Sequence, residues 1–184
     1  LLNVQLMSVS HSIINAVLAR QHDFITALAA FSVAMVLHLF FASPSYQNHT
    51  VTITLVRGRR SLRGTILFVL LVATYVSIML NLLAHTAFGL FVLKDLLGVD
   101  DAIARGARSA LAILAFLPFF TGFRGLFQGL VIKARRTGLV SLATGVRIAA
   151  LLAFLALGGR WFSGPALGAF ALVACIVVET LLMG

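Results

Sequence analysis

Long apolar runs separated by short basic turns constrain this chain more than any other feature. Residues 24–42, 65–83, 139–157 and 162–183 each run nearly uninterrupted through Leu, Ala, Val, Ile and Phe. A helix rises about 1.5 Å per residue, so about 20 such residues span the hydrocarbon core of a bilayer. Hydrophobic residues make up 61% of the chain and charged residues 10%, an apolar share above that of ordinary soluble domains. The chain reads as an all-α polytopic membrane protein, with approximate helices at 1–19, 24–56 (broken near 43–50), 62–84, 102–132, 139–157 and 162–183 in a single membrane domain over 1–184. It opens Leu1-Leu2-Asn3, without an initiator Met or a signal-peptide n-region, and reads as a fragment or trimmed piece of a longer protein.

The formal net charge is +9. In a soluble protein that would raise nucleic acid as a partner. Here the basic residues gather in short turns, and membrane topology explains them without nucleic acid. The turn after the second run holds Arg57, Arg59, Arg60 and Arg63, and the turn after the fourth holds Lys133, Arg135 and Arg136. The turns after the first, third and fifth runs carry little net charge. Excess Lys and Arg marks the cytoplasmic side, so six spans with both termini in the cytoplasm are expected, in a cell (inner) membrane. Cys175, the only cysteine, lies in an apolar run and reads as a core residue. No cofactor or metal site is expected, because no pair of His or acidic residues at helical spacing has a third ligand in view.

Polar residues inside the runs are the candidate site. Arg124 and Arg147 each interrupt an apolar helix, and counting back from the turn at Lys133–Arg136 places both roughly 13–16 Å deep, near mid-bilayer. A charge at that depth costs at least ~2.5–3.5 kcal/mol on insertion scales, so it normally lines an interior cavity. Thr121, Arg124 and Gln128 share one face of their helix, and Thr144 and Arg147 share another. The counting puts Glu179 ~10 Å nearer the cytoplasm, where it is expected to pair with interfacial basic residues or to titrate during transport. Both guanidiniums are then expected to stand without a counter-charge. The Arg fork matches a carboxylate or phosphate bidentately, so the substrate-binding candidates are Arg124, Arg147, Gln128, Asn15 and His38, and the ligand is an anion. His11, His38 and Glu179 are the candidates for proton coupling, since imidazole titrates near neutral pH. The bland alternative has each arginine bonding helix-end carbonyls or snorkelling, and each histidine packing.

Secondary features complete the pattern. Gln5, Ser8, Ser12 and Asn15 form a polar stripe on the first helix, with His11 beside it, and Thr74, Ser77, Asn81 and His85 form another on the third. Ser43-Pro44 predicts a kink or break, and a broken membrane helix is tolerated where it lines a cavity. Pro118 predicts a kink in the fourth helix, and Asp100 or Asp101 is expected to cap its start. Gly125 with Gly129, and Gly164 with Gly168, are G-x-x-x-G pairs suited to close helix approach. Asn48-His49-Thr50 matches the N-glycosylation triplet but falls near the side assigned to the cytoplasm.

Phe123-Arg124-Gly125-Leu126-Phe127-Gln128-Gly129-Leu130, then Arg135-Arg136-Thr137, then Val146-Arg147-Ile148 before an apolar run, resembles the multidrug/oligosaccharidyl-lipid/polysaccharide (MOP) exporter superfamily. Ala42-Ser43-Pro44-Ser45-Tyr46-Gln47-Asn48, the apolar-then-basic stretch over 51–60, Val99-Asp100-Asp101 and Ala115-Phe116-Leu117-Pro118-Phe119 resemble its progressive ankylosis branch. The resemblance implies six helices forming one lobe of a fold that has two, with alternating access by rocking of the lobes. A homodimer or a second lobe is the expected partner, along with membrane lipid and an anionic small molecule or a lipid-linked pyrophosphate glycan. The function expected is an exporter or flippase, with no catalytic residues. The alternatives are a membrane scaffold or assembly subunit, and a membrane-embedded enzyme of lipid or glycan metabolism, for which the five scattered acids supply no cluster.

Overall fold

The computed structural model describes residues 2–184, and side chains from Val9 onward; Gln5 and Ser8 of the first polar stripe therefore lie outside the described side chains. The described chain is helical, with turns between the helices and no strand. α1 (Leu2–Leu18) leads through a short turn to α2 (Phe24–Ala42). A 3-10 turn over Ser43–Gln47, with Pro44 in its first turn, joins α2 to α3 (Asn48–Leu55). α4 (Arg59–His85) is followed by the short α5 (Ala87–Leu90), which passes into a π-helical turn over Phe91–Leu96. α6 (Asp101–Leu114) and α7 (Leu117–Lys133) come next, then α8 (Thr137–Gly158) and α9 (Pro165–Met183).

Among the described residues, four helices are long and apolar enough to cross a membrane, and five if the bent α6–α7 pair counts as one span. The stretch read as one long helix over 102–132 is two helices meeting at 42°. Pro118, near the start of α7, is the cause: it has no N–H to bond back into α6, and its ring crowds the preceding turn. The Ser43-Pro44 break is gentler, and residues 24–55 still pass as a single span.

α9 sits at the centre, packed by α8, α6, α7, α2 and α1. α4 and α3 lie against α7 from the other side. The apolar core runs through Ile14, Phe31, Val76, Leu80, Leu111, Leu114, Leu151, Leu172 and Ile176, all buried. The large exposed apolar residues, among them Phe40, Leu71, Phe116, Leu142 and Leu152, face outward, as lipid contact requires.

Glycine sets the closest approach. A Cβ on Gly125 would stand 2.9 Å from the Asn48 Cβ, and one on Gly129 would stand 2.6 Å from the Thr52 Cβ. The first G-x-x-x-G pair therefore seats α3, the short helix after the break, directly on α7. The second pair divides: Gly168 lies under Ile14 and Phe31, whereas Gly164 meets nothing and instead adopts φ +58° at the start of α9. Asn48 is 1% exposed in the α3–α7 seam, which leaves no room for a glycan.

The turns sort by charge. Lys133 Nζ donates to the Val56 carbonyl oxygen, which brings the end of α7 beside the Arg57–Arg63 turn. At another contact the Gly164 N–H donates to Gln21 Oε1 at 2.8 Å, joining the α1–α2 and α8–α9 turns. Asp100 occupies the N-cap position of α6, but its side chain makes no capping bond; Asp101 is instead held by Lys94.

Candidate functional site

Three charged side chains meet inside the bundle. α7 carries Arg124, α8 carries Arg147 and α9 carries Glu179, and each is buried. Arg124 Nη1 lies 3.4 Å and Arg147 Nη1 lies 3.3 Å from the same oxygen, Glu179 Oε2. Thr144, one turn before Arg147 on α8, places its Oγ1 3.4 Å from Glu179 Oε1. That hydroxyl also donates to the Val140 carbonyl oxygen at the shorter distance of 2.8 Å.

This corrects the expected pairing of Glu179. It is 1% exposed, and its partners are Arg124 and Arg147 rather than the basic residues of the turns. Side chains lean toward the N-terminus of their own helix. In the antiparallel α8–α9 pair that lean brings Arg147 and Glu179 toward each other, and the bend between α6 and α7 redirects Arg124. A count of helical rise carries neither effect. The signal was nonetheless present, since Glu179 is the only acid within an apolar run and a buried charge seeks a partner. The other four acids, Asp23, Asp95, Asp100 and Asp101, are exposed.

The contacts are long for charge-assisted bonds, which close to about 2.7–2.9 Å. Arg124 reaches Glu179 through Nη1, and its Nε has no hydrogen-bond partner. Arg124 also retains some access, its side chain being 10% exposed against 1% for Arg147. Gln128, one turn along α7, is buried at 7% exposure. The group as a whole carries one net positive charge with donor capacity left over.

The remaining sequence candidates lie outside the triad. His11 lies in the electrostatic range of Arg147, and His38 in that of His11. Tyr46, in the 3-10 turn, lies in the range of Arg124. His11 and Asn15 line a cleft of about 190 Å³ between α1 and α2, with Phe31, Ser32, Met35 and Val36. Asn15 is exposed there, whereas His38 is fully buried with neither ring nitrogen bonded. Ser45 Oγ and both amide atoms of Asn48, in and just after the helix break, are likewise buried without partners. Cys175 is fully buried, its Sγ donating to the Leu172 carbonyl oxygen at 3.2 Å.

The α4 stripe faces outward. Thr74, Asn81 and His85 are exposed and Ser77 is half-buried, with Asn81 Nδ2 donating to the Ser77 carbonyl oxygen at 2.9 Å.

No solved structure matches the chain. The progressive ankylosis protein family matches over residues 2–160, which takes in α1 to α8 and both arginines but stops short of Glu179. With its long apolar helices, the chain is an integral membrane protein, and it belongs to the progressive ankylosis protein family.

Proposed function

We propose that this chain is one lobe of an alternating-access transporter for an anionic substrate, built on the MOP exporter plan with six spans and cytoplasmic termini. Its family is one of membrane proteins associated with pyrophosphate and organic anion transport, and is transporter-like rather than enzymatic. The observation that carries the reading is the excess of guanidinium over carboxylate in the α7–α8–α9 seam, with Gln128 beside it. A buried site with surplus positive charge and unused donors is complementary to a carboxylate or phosphate, which the Arg fork binds through paired oxygens.

The outward polar stripe on α4 supports a second lobe or a second copy of the chain as partner. Three exposed polar side chains on a membrane span are costly against lipid and are satisfied against protein or a wet cleft. The clustering of basic turns beside Val56 and Lys133 supports the cytoplasmic assignment of that end. Substrate choice lies between an organic anion and a lipid-linked pyrophosphate, and the Arg pair suits both.

Anion uptake into proteoliposomes, with pyrophosphate and citrate as probes, tests the reading. Arg124→Ala and Arg147→Ala should each lower uptake at least tenfold, and unchanged uptake by both removes it.

A second reading is favoured by the same seam. A carboxylate shared by two arginines among three packed helices is also a clasp that would hold a non-transporting scaffold together. In that case the alanine variants lose thermal stability and the wild-type chain moves no anion.

A further inference from the structure

Glu179 occupies the place that an incoming oxyanion would take. Both guanidiniums point one nitrogen at its Oε2, so a ligand that is to be held by Arg124 and Arg147 together must displace or share that carboxylate. The charge count then decides what can enter. With Glu179 ionised, two guanidiniums and one carboxylate leave a single positive charge, and a dianion would drive the buried site negative. With a proton on Glu179 the surplus is two, which a dianion cancels. Buried charge is tolerated only when compensated, so a proton and a dianion stabilise one another in the seam.

Thr144 stands beside Glu179 Oε1. Its hydroxyl donates to the Val140 carbonyl oxygen at 2.8 Å and reaches Glu179 Oε1 at 3.4 Å as a second, longer acceptor. The hydroxyl rotates, so with its one proton on the Val140 carbonyl oxygen it can instead accept from a carboxyl O–H on Oε1. A proton on Oε1 thus has an acceptor within reach.

We infer that Glu179 is the binding site of a proton taken up together with the transported anion, and that the site so protonated holds a dianion across Arg124 and Arg147. This rests on the reading of the chain as an anion transporter. Every helix packed on α9 bears on the assignment. α7 brings Arg124 and α8 brings Arg147. α1 brings His11, near Arg147, and α2 brings His38, near His11. α9 itself adds Cys175, and Tyr46 approaches Arg124 from the 3-10 turn. α6 has its ionisable groups Asp101, Arg105 and Arg108 in its first two turns, where Arg108 Nε donates to the Ala84 carbonyl oxygen at 2.6 Å. Among these, Glu179 is the group whose protonation releases both arginines at once.

The coupling is reciprocal: anion binding raises proton affinity by the factor by which a proton raises anion affinity. The experiment is calorimetric binding of inorganic sulfate, a dianion throughout, to the protein in nanodiscs between about pH 5.5 and about pH 8, in buffers of different ionisation enthalpy. Wild type should take up about one proton per sulfate and lose about tenfold in affinity per pH unit toward the alkaline end. Glu179→Gln, which mimics the protonated acid, should bind with no proton uptake and a flat profile, and Glu179→Asp should restore uptake. Sulfate binding by wild type without proton uptake overturns the inference and leaves the anion site standing, whether or not the glutamine variant folds. Undiminished uptake in Glu179→Gln overturns it in favour of His11 or His38. Absence of binding by sulfate, pyrophosphate and citrate at every pH overturns the anion reading and this inference with it.

Discussion

Arg147 of α8 and Glu179 of α9 stand 3.3 Å apart, Nη1 to Oε2, and neither side chain is more than 1% exposed. Arg124 reaches the same oxygen from α7. Three helices thus converge on one carboxylate, and removing it strands two cations among apolar side chains. Breaking a buried pair by deleting one partner costs about 3–5 kcal/mol in measured cases.

Glu179→Leu should therefore lower the thermal midpoint in detergent far more than Glu179→Gln, which keeps an oxygen for both arginines and an amide that can donate to Thr144. A scanning fluorimetry comparison checks the order. Equal midpoints for the two variants would mean that the contacts add nothing to the fold.

The glycines of α7 and α8 make a second comparison. A methyl at Gly129 collides with Thr52 and with the His49 carbonyl oxygen 2.9 Å away, while one at Gly145 meets nothing within 4 Å. Gly129→Ala should destabilise by about 1–3 kcal/mol as α3 is pushed off α7. Gly145→Ala should be neutral or stabilising by up to about 1 kcal/mol. Unfolding in a denaturing detergent series measures both.

His38 has both ring nitrogens buried and without partners. Replacing an unsatisfied buried polar group with an apolar one of similar size is neutral or favourable. His38→Leu should keep or raise stability. If His38 takes part in coupling, the same variant flattens the pH dependence of uptake, and the two readouts separate the packing role from the functional one.

Cys175 is fully buried with its thiol bonded in its own helix. A maleimide should leave the folded protein in membranes unlabelled and react fully after denaturation. Rapid labelling in the folded state would show that water and reagent reach the seam one turn from Glu179.

Much of the architecture could be read along the chain because its causes are local. Apolar run length set the long helices, Ser43-Pro44 set the break after α2, and Pro118 set the bend near Phe116, all through backbone constraints that involve only neighbours in sequence. Arg124 and Arg147 stood out as charges where lipid should be, and the structure buries both. Gly125 and Gly129 announced a close approach without saying that α3 would fill it.

What the sequence determined was the class of protein and which residues are costly there, since both follow from transferring side chains one at a time from water to hydrocarbon. The tertiary structure alone decided which charges meet. Pairing depends on helix tilt, on rotation about each axis and on side-chain lean, each worth several ångströms and none encoded in a count of residues. A few ångströms separate a pair of lone arginines from a triad with Glu179, because the energy of a buried charge rests on its nearest neighbour.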